Sequence, residues 1–248
     1  MLPRSSRRYE TYREHESILR RGRRVLGFLV LLFLVYQLVT VVIVRPISIE
    51  SVAMEPTLEY GDRLLAVPLI YGPNLPLFRW VLPGFGSPRR GDLALVKPGY
   101  APDLGLAARL GDPFVRFFTL ENRRLDDGAA WDSSRQVKRI VGLPGDTVRL
   151  ERFVAYVRPP GETEFVSEFA LAATAYEVVA GERPGVWQPL DPFGAAYEEI
   201  TLGAAEYFVL SDNHTRGIDS RHWGALARER VLARVTLRFW PFARFGRP

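Results

Sequence analysis

The 248-residue chain lacks cysteine altogether, has three histidines and contains only two lysines. The absence of cysteine excludes a disulfide-stabilised scaffold and a thiolate metal site. The spacing of His15, His214 and His222 is not typical of metal ligands, so we expect no metal site. The scarcity of lysine contrasts with 31 arginines among the 33 cationic side chains. A function that arginine cannot perform would explain why a lysine is present at all.

The net positive charge of the chain lies in its N-terminal tail. Residues 1–24 contain eight arginines and three glutamates, which equals the whole net charge of +5, and residues 25–248 are balanced. A basic stripe across a folded domain would indicate a nucleic-acid-binding protein, but here the excess is confined to a short segment. The sequence therefore predicts no nucleic-acid partner.

An uncharged apolar segment follows this tail. Residues 25–44 contain twenty residues without a charged side chain, and as a helix they would cross the hydrocarbon core of about 30 Å. The flanking arginines predict a cytoplasmic tail by the positive-inside rule. A cleavable signal peptide is the alternative, but Arg45–Glu50 offers no small-residue cleavage site. We therefore predict a single-pass anchor in the inner or plasma membrane, with residues 45–248 extracytoplasmic.

Residues 45–248 are predicted to form a mainly β domain. Short apolar runs alternate with the Gly-Asp and Pro-Gly pairs that are typical of turns. The predicted strands are Arg63–Val67, Asp92–Val96, Gln136–Val141, Phe153–Arg158, Glu206–Leu210 and Val231–Phe239. Outside the anchor no long segment has helical periodicity.

Four segments carry an unusual order of residues: ESVAMEPTLEYGD from Glu50, RGDLALVKP from Arg90, QVKRIVGLPGD from Gln136 and FVLSDNHTRGIDSRHWG from Phe208. In this order, behind an apolar segment, they resemble bacterial type I signal peptidases, or leader peptidases. The resemblance implies an antiparallel β-sheet catalytic core with an inserted smaller β lobe, roughly residues 155–205. It also implies cleavage of N-terminal signal peptides from exported preproteins by a Ser/Lys dyad without a cofactor.

Lys138 matches the position of the general base in this family. A serine hydroxyl needs a neighbouring base, and a lysine can serve only when it is neutral, so burial must lower its pKa from about 10.4. Arginine cannot be deprotonated in a protein and could not replace it. From the residues alone, an exposed strand lysine is the alternative interpretation. Lys97 matches no catalytic position and is interpreted as a surface cation.

The position of the nucleophile departs from the family pattern. The resemblance places the nucleophilic serine directly before Met54, where this chain has Ala53. Ser51 matches the position whose hydroxyl helps to form the oxyanion hole, and its use as a displaced nucleophile is an alternative. We expect the chain to be inactive as written. Ala53 is then either an engineered change or the mark of a natural non-catalytic paralogue that binds signal peptides or precursors without cleavage.

The fourth segment is expected to support the site. The resemblance gives Asp219, Ser220 and Arg221 this structural role, with a plain turn and a surface ion pair as the alternative. Many family members have a serine that hydrogen-bonds the lysine at the position of Gly217. We therefore expect other groups to orient Lys138 in this chain.

The expected partners are signal peptides of exported preproteins and the lipid bilayer. Small substrate side chains would enter shallow apolar subsites near the lysine strand, with Met54 and Pro56 as substrate-binding residues. The aromatic segment 239–245 is predicted to lie against the bilayer, or else to pack in the core through Trp240. A self-cleaving Ser/Lys repressor is a further alternative, but the apolar segment argues against a cytosolic protein.

Overall fold

The computed structural model of the protein describes residues 5–73, 82–101, 105–119, 135–180 and 197–248. The chain divides into two compact units, of which the first ends at Thr40 and the second begins at Val41. The first unit contains helix α1 (Ser5–Leu38), which continues into a π-helical turn at Val39–Ile43. Residues Arg20–Ile43 have a mean hydropathy of 2.7 and are long and apolar enough to cross a membrane. The predicted N-terminal apolar helix is confirmed.

The second unit consists mostly of strands. The described strands are β1 (Arg45–Ser48), β2 (Arg63–Val67), β3 (Leu93–Val96), β4 (Gln136–Gly142), β5 (Thr147–Glu151), β6 (Val154–Arg158), β7 (Val166–Ser167), β8 (Tyr197–Thr201), β9 (Glu206–Leu210), β10 (Leu226–Ala227) and β11 (Val231–Trp240). The helices of this unit are α2 (Pro68–Tyr71), α3 (Leu106–Phe118), α4 (Glu168–Leu171) and α5 (Ser220–Trp223). Short 3-10 turns cover Val52–Met54, Arg228–Arg230 and Phe242–Arg244.

The larger sheet is antiparallel, with the strand order β1-β2-β11-β3-β4-β9-β10. Its central strands β3 and β4 are buried on both faces, because alternate side chains enter different apolar clusters. On β3, Leu93 and Leu95 pack in one cluster, whereas Ala94 and Val96 pack in another. A polar side chain on β4 is therefore buried whichever face it points to.

The smaller sheet is also antiparallel, with the order β7-β6-β5-β8. All of its strands come from the part of the chain between β4 and β9, two neighbours in the larger sheet. The sheet begins at Thr147, earlier than the start of the inserted lobe near residue 155 that the sequence suggested. A third apolar cluster includes Val148 and Leu150 of this sheet together with Phe208 of β9.

The predicted mainly β architecture is confirmed, with an antiparallel core and a second, smaller sheet. All six predicted strands are present, with ends shifted by one residue in some cases. The sequence showed no long segment of helical periodicity after the anchor, but the structure has the 13-residue helix α3 there. Pro113 lies inside this helix, and a proline at that place in a sequence normally argues against a helix. The suggestion that Trp240 packs in the core is also wrong, since its side chain is 45% exposed.

Candidate active site

Lys138 lies in the centre of the larger sheet and is almost completely buried. It pairs with Ala94 of β3, and only 2% of its surface is exposed. Its Nζ atom donates a hydrogen bond to Oγ of Ser211, at 2.8 Å. The alternative of an exposed strand lysine is therefore wrong. A buried amine beside a hydroxyl is an arrangement that can accept a proton in a water-poor site.

Residue 53 lies in a single 3-10 turn, Val52–Met54. Ser51 caps this turn, because its Oγ accepts a hydrogen bond from the backbone N–H of Ala53 at 3.0 Å. Met54 is buried in the apolar core at the end of the turn, whereas Ser51 is exposed and Ala53 is half-buried. The buried methionine fixes the turn, and the turn holds residue 53 at the edge of the core.

One short segment contacts both the turn and the lysine. The backbone N–H of Asn213 donates to the carbonyl of Ala53 at 2.9 Å, and its side-chain amide donates to the carbonyl of Val52 at 3.3 Å. Two residues earlier, Ser211 accepts the hydrogen bond from Lys138. The segment 211–213 thus contacts both the turn of residue 53 and Lys138, which are far apart in the sequence.

The family model described as "Signal peptidase, peptidase S26" matches residues 22–240 of the chain. The chain belongs to the signal peptidase family. It is 28% identical over 198 residues to a probable signal peptidase I-2 of Synechocystis sp., a match that covers 80% of this chain and 64% of that protein. It is 27% identical over 200 residues to signal peptidase I of Pseudomonas aeruginosa, with 73% and 56% covered. The chain thus spans less than two thirds of the length of these two relatives.

A solved structure of a signal peptidase I from Enterococcus faecalis is also similar to this chain. The match covers 60% of this chain and 97% of that one, with 20% sequence identity and a TM-score of 0.33. The family membership of the chain depends on the match over residues 22–240.

Asp219 and Arg221 form a buried ion pair behind Ser211. Arg221 donates from Nε to Oδ1 and from Nη2 to Oδ2 of Asp219, each at 2.8 Å. Asp219 also accepts from the backbone N–H of Ser211 at 3.0 Å and caps helix α5. Ser220 is buried and accepts from the backbone N–H of Val209. The alternative of a surface ion pair is therefore wrong, because both charged side chains are enclosed.

The charges around Asp219 determine its ionisation. Burial of the carboxylate opposes its charge, but the Arg221 guanidinium, the Lys138 amine and the Ser211 N–H outweigh burial and hold the pKa of Asp219 well below its usual range. Burial lowers the pKa of nearby His222, and the positive charges of Arg221 and Lys138 lower it further, against the opposing effect of Asp219. Asp219 is thus an anion next to a neutral imidazole at neutral pH.

A second buried ion pair, which the sequence did not predict, joins Arg139 to Asp212. Arg139 donates from Nε to Oδ1 at 2.7 Å and from Nη2 to Oδ2 at 2.6 Å. The hydroxyl of Thr57 donates to the same carboxylate at 2.5 Å, and the Arg139 guanidinium lies 3.9 Å from the centre of the Tyr176 ring. This network connects β4, the segment after β9 and the segment after the turn of residue 53. The feature of the sequence that could have indicated this ion pair is Asp212, the acidic residue directly after Ser211.

The remaining predicted residues lie in different surroundings. Lys97 is half-buried. Met54 lies in the core and Pro56 is exposed, and Pro56 lines a cavity of about 290 Å³ together with Thr57 and Arg139. A substrate-binding role for Met54 and Pro56 stays a prediction. Among the residues that the structure describes, no cluster of three His, Asp or Glu side chains could hold a metal.

The Asp219–Arg221 pair predicts a pH-dependent stability. The Asp219→Asn substitution should lower the free energy of unfolding by about 3 kcal/mol at neutral pH, because it leaves the Arg221 charge buried without its partner. Since the pKa of Asp219 is lowered by folding, this contribution is complete above the unfolded value of about 3.9 and is lost as the pH falls below it. The stability difference between parent and variant should therefore be constant above about pH 5 and should narrow below about pH 4.

Thermal unfolding of the purified chain between pH 3 and pH 7 measures this difference. The matched control is Glu151→Gln, which removes an exposed carboxylate that pairs with Arg149 at 3.2 Å and should change stability by less than about 0.5 kcal/mol. Equal effects of the two substitutions at pH 7 would contradict the importance of the buried pair.

Proposed function

We propose that this chain is built as a type I signal peptidase that cleaves N-terminal signal peptides from exported preproteins, and that Ala53 makes it inactive as written. The observation that carries the proposal is the buried Lys138 amine, which shares the segment 211–213 with the turn of residue 53. The family membership of the chain supports it. The proposed catalytic pair is Lys138 as the base and a serine at position 53 as the nucleophile.

With a serine at position 53, its hydroxyl oxygen would attack the carbonyl carbon of the scissile peptide bond while neutral Lys138 accepts the proton. The tetrahedral intermediate then collapses, the C–N bond breaks, and the Lys138 ammonium returns the proton to the leaving amine. Water then attacks the carbonyl carbon of the resulting ester while neutral Lys138 accepts a proton from it. The C–O bond to the serine breaks, and the Lys138 ammonium returns the proton to the serine oxygen. Ala53 has no oxygen with which to begin this sequence.

The oxyanion of this intermediate would be bound by the backbone N–H of residue 53 and the hydroxyl of Ser51. The two groups are already adjacent, since this N–H donates to Ser51 Oγ at 3.0 Å. Because the Ser51 oxygen is the acceptor in that bond, its own hydrogen can point to a substrate. The N–H of residue 53 has one hydrogen, which Ser51 Oγ accepts in this structure, so that contact must open before a substrate oxygen between the two groups can receive both hydrogen bonds.

The Ala53→Ser change is expected to produce precursor cleavage. The gain in kcat/KM over the unchanged chain should be about 1,000-fold or more, because a chain without its nucleophile keeps only binding and oxyanion stabilisation. Processing of a preprotein with small side chains at the first and third positions before the scissile bond, in detergent, measures it. Inactive Ala53→Ser protein that is correctly folded would contradict the peptidase proposal.

The two lysines provide a matched control for the base. In the Ala53→Ser background, Lys138→Ala and Lys138→Arg should both abolish cleavage, because neither side chain can accept the proton. Lys97→Arg should leave cleavage within about twofold of the Ala53→Ser parent, since a positive charge is retained at a site with no catalytic role. Equal losses at positions 97 and 138 would contradict the assignment of Lys138.

The Ser51→Ala change tests the oxyanion role in the same background. We expect kcat to fall by a factor of about 100 to 1,000 with little change in KM, because the hydrogen bond is made mainly in the transition state. Residual cleavage by the Ala53→Ser, Ser51→Ala double variant also distinguishes the oxyanion role of Ser51 from a role as displaced nucleophile. If Ser51 were the nucleophile, the unchanged chain with Ala53 would already cleave, and Ser51→Ala would abolish that activity.

The proposed location is a single-pass position in the inner or plasma membrane, with a cytoplasmic tail and an extracytoplasmic domain. Because the chain has no cysteine, single cysteines can report the topology without background. A membrane-impermeant maleimide should label Thr163→Cys, at an exposed residue of the domain, in intact spheroplasts. It should label Ser6→Cys in the tail only after lysis, and the reverse pattern would contradict this orientation.

A second candidate function is the binding of signal peptides without cleavage, which the absence of a hydroxyl at Ala53 favours. The unchanged chain would then bind a precursor tightly, and Ala53→Ser would bring no activity. Crosslinking of a radiolabelled precursor to the unchanged chain, compared with cleavage by Ala53→Ser, distinguishes the two functions.

A further inference from the structure

The hydroxyl that contacts Lys138 is placed by the register of two neighbouring strands. In the β4–β9 pair Arg139 lies opposite Leu210, and Ser211 is the next residue after β9 ends. In an antiparallel pair the residue before Arg139 therefore faces the residue after Leu210. Ser211 is 1% exposed, and its Oγ lies 2.8 Å from Nζ of Lys138. The contact is thus a buried pair between cross-strand neighbours.

Ser211 occupies space that a side chain at position 217 would need. A Cβ atom placed on Gly217 would overlap both Cβ and Oγ of Ser211 and would lie 3.1 Å from the carbonyl oxygen of Asn213. The loop closes at this point, because the N–H of Gly217 donates to the same carbonyl at 3.0 Å. The φ angle of Gly217 is not among the positive ones, so its backbone does not require a glycine. What requires a glycine here is the volume of Ser211.

The position of Ser211 is itself fixed from behind. Its backbone N–H donates to Asp219, which is held by Arg221. Lys138 is close enough to Asp219 and to His222 for its charge to lower the pKa of both groups. Ser211 accepts the hydrogen bond of the Lys138 amine through its hydroxyl.

We propose that Ser211 is a positioning residue for Lys138, and that Gly217 lacks a side chain so that this hydroxyl can occupy the site. The inference rests on the proposed function, in which Lys138 is the base. It assigns to position 211 the hydroxyl that would otherwise have to come from position 217. Because the side chains of the two positions compete for one volume, the hydroxyl should be transferable from one position to the other.

The first experiment uses the unchanged chain and needs no activity. With only two lysines in the chain, protein labelled with 13C at lysine Cε gives one NMR signal for Lys138 and one for Lys97 in detergent. In Ser211→Ala the pH midpoint of the Lys138 signal should move down, because the lost oxygen accepts a hydrogen bond from the charged amine. The Lys97 signal should stay unchanged. An unchanged Lys138 midpoint would overturn the proposal.

The second experiment measures cleavage in the Ala53→Ser background. Ser211→Ala and Gly217→Ser alone should each lower kcat/KM by a factor of about 10 to 100, the first through a lost hydrogen bond to a charged group and the second through overlap. Ser211→Gly combined with Gly217→Ser should return kcat/KM to within about threefold of the parent. If the combined variant is as impaired as the single variants, the inference that the hydroxyl can be moved from position 211 to position 217 is wrong.

Thr147→Val is the matched control in both experiments. It removes a buried hydroxyl that hydrogen-bonds Thr201 at 3.1 Å in the smaller sheet, so it reports the cost of losing a hydroxyl elsewhere. It should leave the Lys138 signal and the pH dependence of kcat/KM unchanged, whereas Ser211→Ala should move the acid limb of that profile. If Ala53→Ser is inactive, the proposed function fails, and the NMR titration still decides the role of Ser211. If Lys138→Ala abolishes cleavage but Ser211→Ala behaves like Thr147→Val, only the positioning inference fails.

Discussion

The buried contact between the Lys138 amine and the Ser211 hydroxyl is the constraint on which the rest of the site depends. An amine can be enclosed in the centre of a sheet only if its hydrogen-bonding needs are met there. The partner is the residue directly after the neighbouring strand β9, so the β4–β9 register must be exact to one residue. A slip of one position would turn Lys138 to the other face of the sheet, where Arg139 now lies.

Two arginine–aspartate pairs make this arrangement rigid, and they show what arginine contributes in a chain where it supplies 31 of the 33 cationic side chains. Arg139–Asp212 and Arg221–Asp219 are bidentate and enclosed, and a guanidinium that stays charged is well suited to such fixed pairs. Asp212 belongs to the segment 211–213 that contacts the turn of residue 53, and Asp219 accepts from the Ser211 N–H of the same segment. The permanently charged arginines fix the segments around the site, whereas the one group that must change its charge in the proposed reaction is a lysine.

The sequence was informative wherever function or local chemistry leaves its own residue pattern. The central strands were recognisable because β-branched and apolar residues are grouped between turn pairs, and Lys138, Asp219 and Arg221 stood out in their motifs. Ser211 and Arg139 were missed, because a common serine and one arginine among 31 acquire their roles only from contacts across 73 residues. Helix α3 was not predicted, because a proline inside a segment normally argues against a helix and Pro113 lies inside α3.

The chain leaves the larger sheet after β4 and returns to it in the neighbouring strand β9. The smaller sheet is therefore formed by residues that lie between Lys138 and Ser211 in the sequence. The entropy of closing such an excursion depends only on the logarithm of its length, about 0.6 kcal/mol for each doubling. The excursion can therefore grow, shrink or change in sequence at small thermodynamic cost, provided that its two ends meet in register. In folding, by contrast, this pairing is a contact of high sequence separation and is slow to form. The architecture thus allows the smaller sheet to vary in length and sequence while the register of its two ends stays fixed.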